Sequence, residues 1–248
     1  MKGKVVLVGA GPGDPGLITV KGLQMLTTCD VVVYDRLVSE ELLKYVKKEA
    51  ELIYAGKNLG ESLSQSNINE ILLNKAREGK LVVRLKGGDP YVFGRGEEEC
   101  SFLHEKGIDC EVIPGVTSAI AAPAYAGIPV TSRWFSSGFA VLTGSKADGS
   151  SIDPDYIPKK GTLIIMMGIT RVEEVKKALL QVRYPNEPVA IIERGTTPHQ
   201  RVIECLLENL DICVKKNEIS NPAVIVVGET VKLRNKLWNY NKIHGVED

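Results

Sequence analysis

Short apolar runs recur along the chain, and most are apolar at every position instead of alternating with polar residues. They are Val5–Val8, Val31–Tyr34, Leu81–Leu85, Cys110–Ile113, Phe139–Leu142, Leu163–Met167, Val189–Ile192 and Ala223–Val227. Runs this short, rich in Val and Ile and bounded by Gly, Pro or Asp, suit strands covered on both faces, as in parallel sheets. Glu51–Tyr54 and Arg201–Cys205 are weaker strand candidates. Between the runs the apolar spacing becomes helical. Ser66 is the expected cap of a helix that places Ile68, Ile71, Leu72 and Lys75 at that spacing and stops at Gly79. Glu97-Glu98-Glu99 puts acidic residues in a first turn, where the helix dipole favours them, and Gly107 marks the end. Val172–Val182 predicts a further amphipathic helix, ended before Pro185. Strands alternating with helices imply an α/β protein with crossover connections.

The strands fall into two groups, one ending near Ile113 and the other starting near Phe139. Pro114-Gly115, followed by the small-residue stretch Ser118–Ala126, is the best boundary signal. The expectation is two α/β lobes with mostly parallel sheets, 1–114 and 115–248. Lys146–Lys160, with its Gly, Ser, Asp and Pro residues, reads as a surface loop.

Composition removes some functions. Lys plus Arg and Asp plus Glu both number 31, so the basic excess of a nucleic-acid binder is absent. The five cysteines, Cys29, Cys100, Cys110, Cys205 and Cys213, are odd in number and form no Cys-x-x-Cys, which suggests reduced thiols in a cytosolic core and no metal site. The run Val5–Val8 is too short for a signal peptide or a membrane span.

The chemistry lies in loops that follow strands. Gly11-Pro12-Gly13-Asp14-Pro15-Gly16 matches the dinucleotide fingerprint G-x-G-x-x-G, and Asp35 ends the next strand, where that fingerprint wants an acidic residue. A nicotinamide-dependent oxidoreductase is therefore a competing reading. Against it, Pro12 and Pro15 remove two N–H donors that a pyrophosphate needs, and Pro15 delays the helix to about Thr19. The second loop, Gly87-Gly88-Asp89-Pro90-Tyr91-Val92-Phe93-Gly94-Arg95-Gly96, leaves the same edge of the sheet, where open α/β sheets bind ligands. Asp89 suits hydrogen bonds from a ribose or amino group, and Arg95 offers a fork for carboxylates. No Walker-type Gly-Lys-Ser/Thr occurs. Further clusters are Pro114-Gly115-Val116-Thr117-Ser118, Met166-Met167-Gly168, Gly195–Arg201 and Asn221-Pro222-Ala223. Thr117 or Ser118 is equally readable as a plain helix cap, and paired methionines are commonly core.

Taken together, these segments resemble the tetrapyrrole methylases over nearly the whole length, in particular those acting on uroporphyrinogen III. The resemblance rests on Val8–Pro15, Tyr34-Asp35-Arg36-Leu37-Val38, Gly87–Pro90, Phe93–Gly96, Pro114–Ser118, Ala126–Pro129, Met167-Gly168 and Gly195-Thr196. It departs at Thr131-Ser132-Arg133, where the family has Thr-His-Arg, so no role of that histidine carries over. The resemblance implies a site in the cleft between two lobes. It also implies transfer of methyl groups from S-adenosylmethionine to two ring carbons of uroporphyrinogen III, C2 and C7, giving precorrin-2 in siroheme or cobalamin biosynthesis. S-adenosylhomocysteine would be the second product and no metal would take part. It further implies that Pro12, Gly87, Gly88, Asp89, Val92, Thr117, Ser118, Met167, Gly195 and Ala223 hold S-adenosylmethionine, the C-terminal lobe forming the cofactor side. Asp35 resembles the family's proposed general base and Lys57 its proton donor. Arg36, Arg95 and Arg133 are the candidates for the substrate's carboxylates. A cytoplasmic homodimer, independent of nucleic acid and membrane, is expected by the same resemblance. The rivals are another tetrapyrrole methylase, the oxidoreductase above, and a non-enzymatic binding module.

Overall fold

A computed structural model of the chain describes residues 3–56, 64–146, 148–238 and Tyr240. The backbone separates into two compact units, Met1–Thr117 and Ser118–Asp248.

The first unit contains β1 (Lys4–Gly9), α1 (Val20–Thr28), β2 (Val31–Tyr34), α2 (Glu40–Leu43), β3 (Glu51–Tyr54), α3 (Gln65–Arg77), β4 (Leu81–Lys86), α4 (Gly96–Glu105) and β5 (Asp109–Ile113). Its sheet has the order β3-β2-β4-β1-β5, with every pairing parallel. The unbroken apolar runs have their expected cause. Val6, Val8, Val32, Val83 and Leu85 pack on one face with Leu26 of α1 and Leu42 of α2. Val5, Leu7, Val31, Val33 and Val82 pack on the other with Ile68, Leu72 and Leu73 of α3 and Leu103 of α4. Each fully buried Val or Leu contributes about 1.5–3 kcal/mol. The neighbouring strands β1 and β4 thus send their following helices to opposite faces. In open α/β sheets the carboxyl edge at such a switch point is where ligands bind. Helix α3 begins earlier than expected. Ser64, not Ser66, is the N-cap, its hydroxyl accepting from the Asn67 N–H, so Ser66 lies inside the first turn.

The second unit contains α5 (Ser118–Tyr125), β6 (Phe139–Thr143), β7 (Thr162–Met166), α6 (Val172–Leu179), β8 (Pro188–Glu193), β9 (Arg201–Leu206), α7 (Leu210–Lys216) and β10 (Ala223–Val227). Its sheet runs β6-β7-β10-β8-β9. Only β6 and β7 are parallel; β10 is antiparallel to β7 and β8, and β8 to β9. Mostly parallel pairing therefore describes the first unit, and this second sheet is mixed. Full coverage by helices permits this, because burial on both faces erases alternation whichever way a strand runs. Helices α6 and α7 cover Leu163, Ile165, Ile191 and Ile225, while α5 covers Ile164, Ile192, Val224 and Val226. The stretch Lys146–Lys160 is not all surface, since Ile152 and Ile157 are buried in that first core.

The cysteines depart from expectation. Cys100 of α4 and Cys110 of β5 form a disulfide with Cα atoms 5.4 Å apart, because the helix packs directly on its following strand. Cys29, Cys205 and Cys213 are free. Burial pushes the Cys29 thiol up to about 11 and Cys205 up to about 12, so neither offers a thiolate at neutral pH. No helix among the described residues is long and apolar enough to cross a membrane.

Candidate functional site

In the first unit the loops after β1 and β4 are stitched together by their backbones. The Gly11 N–H donates to the Gly88 carbonyl at 3.2 Å and the Gly88 N–H to the Gly11 carbonyl at 2.7 Å. Ala10 N–H donates to Lys86, Gly16 N–H to the Asp14 carboxylate, and Leu17 N–H to the Asp14 carbonyl. Pro12 and Pro15 have no N–H. Helix α1 starts only at Val20, capped by the Thr19 hydroxyl. Most donors that a dinucleotide's pyrophosphate requires are thus spent inside the protein or missing, and the helix N-terminus stands away from the turn.

The close approach of these loops depends on glycine. A Cβ on Gly9 would lie 2.5 Å from Gly115 Cα and 2.7 Å from the Gly88 carbonyl oxygen, with only backbone to displace. Gly9→Ala is expected to destabilise the protein by about 1–3 kcal/mol and to weaken S-adenosylmethionine binding, as calorimetry and chemical denaturation will measure. Asp89 locks the same junction. One carboxylate oxygen accepts from the Tyr91 N–H at 2.8 Å and the other from the Gly115 N–H at 3.0 Å. Pro12, Gly87, Gly88, Asp89 and Val92 are brought together with the Pro114–Thr117 segment at this one edge.

Asp35 ends β2 beside β4. Its carboxylate is partly exposed, with the side chain 28% accessible. One oxygen accepts from the Leu37 N–H at 3.0 Å and the other faces Arg84 Nη2 at 3.4 Å. Arg36 is exposed at the same turn. Lys57 lies outside the described residues. Arg95, in left-handed conformation (φ 59°), is exposed and forms a forked ion pair with Glu98, Nε and Nη2 donating at 2.9 and 2.7 Å. The Glu98 carboxylate holds its pKa above the ordinary arginine value. An incoming carboxylate would have to exchange with Glu98. Arg95→Ala is expected to raise the Michaelis constant for the macrocycle several-fold, by about 1 kcal/mol of binding, with the constant for S-adenosylmethionine unchanged.

Sequence reasoning missed what lies beneath. Glu99, read as one of three first-turn acids, is fully buried. It accepts from Arg84 Nε at 3.2 Å, Lys86 Nζ at 2.9 Å and Gln65 Nε2 at 3.0 Å. Arg84 and Lys86 are themselves buried on β4. Burial, followed by the Arg84 charge, pulls the Lys86 ammonium below the usual lysine range. The signal was available: two cations alternate within the otherwise apolar run Leu81–Lys86, and buried charges demand partners.

In the second unit, antiparallel β10 explains a puzzle of the sequence. Met167 and Gly195 follow the ends of strands, whereas Ala223 begins one. Val224 pairs with Met166 and Ala223 with Glu193, so the start of β10 lies at the carboxyl ends of β7 and β8. Met167, Gly195 and Ala223 therefore share one sheet edge. Met167 adopts a left-handed conformation (φ 54°) and is exposed, which is unusual for an unbranched apolar residue and favours a ligand contact over core. Gly195 packs against α5, where an added Cβ would meet Ala122 Cβ at 2.5 Å; Ser118 opens that helix. The next residue, Thr196, is held at φ 68° by the buried Gln200 side chain, which accepts from its N–H. Arg133 is exposed after Ser132, whose backbone pairs with Ser136. Among the described residues no group of His, Cys, Asp or Glu could hold a metal ion.

Two α/β units with glycine-rich loops at strand ends define an α/β protein of the kind whose ligands bind at the carboxyl edges of its strands. The sequence profile of the Tetrapyrrole (Corrin/Porphyrin) Methylases matches residues 4–211, and the chain belongs to that family. It is 55% identical over 94% of its length to the uroporphyrinogen-III C-methyltransferase of Methanocaldococcus jannaschii, covering 98% of that protein. It is 45% identical to a siroheme synthase of Yersinia enterocolitica, of which it spans 52%. Among solved structures it resembles the uroporphyrin-III C-methyl transferase of Thermus thermophilus complexed with S-adenyl homocysteine, with 41% identity and a TM-score of 0.81 over 93% of this chain and 94% of that one.

Proposed function

We propose that the chain is an S-adenosylmethionine-dependent C-methyltransferase that methylates uroporphyrinogen III at C2 and C7, giving precorrin-2 for siroheme and cobalamin biosynthesis. The observation that carries this reading is the Gly9–Leu17 loop, where Pro12 and Pro15 lack an N–H and the Ala10, Gly11, Gly16 and Leu17 N–H groups are bonded within the protein, which makes it a poor cradle for a nucleotide phosphate. The archaeal and bacterial relatives support the choice of acceptor.

When bound, S-adenosylmethionine supplies an electrophilic methyl group and leaves as a neutral thioether. The chain's contribution is positioning and proton handling. The family resemblance assigns cofactor contacts to Pro12, Gly87, Gly88, Asp89, Val92, Thr117, Ser118, Met167, Gly195 and Ala223, largely through backbone. Asp35, partly exposed at the end of β2, accepts the proton that the alkylated macrocycle loses. Lys57 is assigned the complementary proton donation. Arg36, Arg95 and Arg133 receive substrate carboxylates, since arginine forks match carboxylate geometry. Asp89 acts on the loop as much as on the ligand, through its bond to Gly115. We place the protein in the cytoplasm as a homodimer, a state that sedimentation will test.

The deciding experiment is incubation with uroporphyrinogen III and methyl-labelled S-adenosylmethionine. Two methyl groups per macrocycle support the reading. No incorporation into intact substrate overturns it.

A further inference from the structure

We infer that Arg84 and Glu99 are positioning residues for Asp35: Glu99 fixes the Arg84 guanidinium, and Arg84 fixes the Asp35 carboxylate. The inference rests on the reading of Asp35 as the base and deepens it.

The geometry is specific. Every nitrogen of the Arg84 guanidinium has an assigned direction. Nε donates to Glu99 at 3.2 Å, Nη1 donates to the Val33 and Leu85 carbonyls at 3.3 Å each, and Nη2 faces Asp35 at 3.4 Å. With two of these contacts to strand carbonyls and a third to Glu99 of α4, the planar group is held in orientation, and Nη2 is directed at Asp35. Glu99 is fully buried, and a lone carboxylate there would be strongly unfavourable. Arg84, Lys86 and Gln65 all converge on it, which holds it in place in turn. By formal count the two acidic residues Asp35 and Glu99 face the two basic residues Arg84 and Lys86. Removing Glu99 would leave two cations behind the base, and removing Arg84 would leave two anions against one. The fold needs no cation at position 84 to pair β4 with β1 and β2. Arginine there serves two groups at once, the buried Glu99 carboxylate through Nε and Asp35 through Nη2, so it couples the buried anion to the partly exposed one.

The test is a double-mutant cycle on turnover. In the active protein, Arg84→Gln and Glu99→Gln are each expected to lower kcat by about 10-fold with the Michaelis constant for S-adenosylmethionine unchanged. Introduced into Asp35→Asn, the same changes should lower kcat less than about 2-fold further, because their effect passes through a carboxylate already gone. Arg84→Lys keeps the cation and the contact to Glu99, so it should retain more turnover than Arg84→Gln; it also serves if the glutamine variant does not fold. Full additivity with Asp35→Asn, or unchanged kcat in folded Arg84 variants, overturns the inference while leaving the enzyme reading intact. Absence of methyl transfer by the unaltered protein, or full turnover by Asp35→Asn, instead overturns the reading beneath it.

Discussion

Asp35→Asn is expected to lower turnover of uroporphyrinogen III by about 10²–10⁴-fold, the usual contribution of a positioned general base, while the dissociation constant for S-adenosylmethionine stays within about twofold. The substitution is nearly isosteric. Its amide oxygen keeps the bond from the Leu37 N–H, and its NH₂ loses only the 3.4 Å contact to Arg84. With the side chain 28% accessible, water solvates whatever is left unpaired, so the fold loses little. Its described hydrogen bonds go to Leu37 and Arg84 and not to the Gly11–Gly88 junction, so those loops keep their geometry. Calorimetry with S-adenosylhomocysteine and a methyl-incorporation assay separate the two effects. Equal losses in binding and turnover would remove Asp35 from the proton-transfer role and make it a structural residue of the loop.

Glu99→Ala carries the largest expected loss of stability, about 3–5 kcal/mol, because it strands two buried cations. Arg84 and Lys86 are 4% and 6% accessible at their side chains and share this carboxylate. Arg84 retains the Val33 and Leu85 carbonyls, but among the described residues Glu99 is the only hydrogen-bond partner of the Lys86 ammonium. Burial already disfavours its ammonium form, and without Glu99 the pull toward the neutral amine grows. For a chain of this size the loss amounts to a fall in melting temperature of about 10 °C. Glu99→Gln retains the shape and part of the hydrogen bonding and should fall between the two. A melting temperature within about 2 °C of the parent for Glu99→Ala would show that the network is solvated or dispensable.

Much of this molecule was legible in order. The ten strands among the described residues lie where the short apolar runs place them, within a residue or so at each end. Thr19 and Gly107 mark their helix ends as read. Strand direction was not legible, because alternation disappears once both faces are covered; β10 reads the same forwards and backwards. The cap of α3 slipped from Ser66 to Ser64 because both serines are good caps and only the packing of the following turn chooses between them. The disulfide between Cys100 and Cys110 escaped because spacing along the chain says nothing of a helix folded back on its strand.

The candidate site divides along the same line. Its loops were legible, since Gly, Pro and Asp in that density after a strand have few other uses, and a family pattern of such loops is carried in the linear order. The sequence by itself determined the α/β class, the positions of the strands, the loops at their ends and the family. The tertiary structure decided which donors in those loops are already consumed, that Ala223 joins Met167 and Gly195 through an antiparallel strand, and that Arg84, Lys86 and Glu99 meet behind Asp35. The physical reason is common to all three. Periodicity and propensity are properties of neighbours along the chain, whereas hydrogen-bond satisfaction and charge balance belong to groups that only folding brings within 3 Å or so of one another.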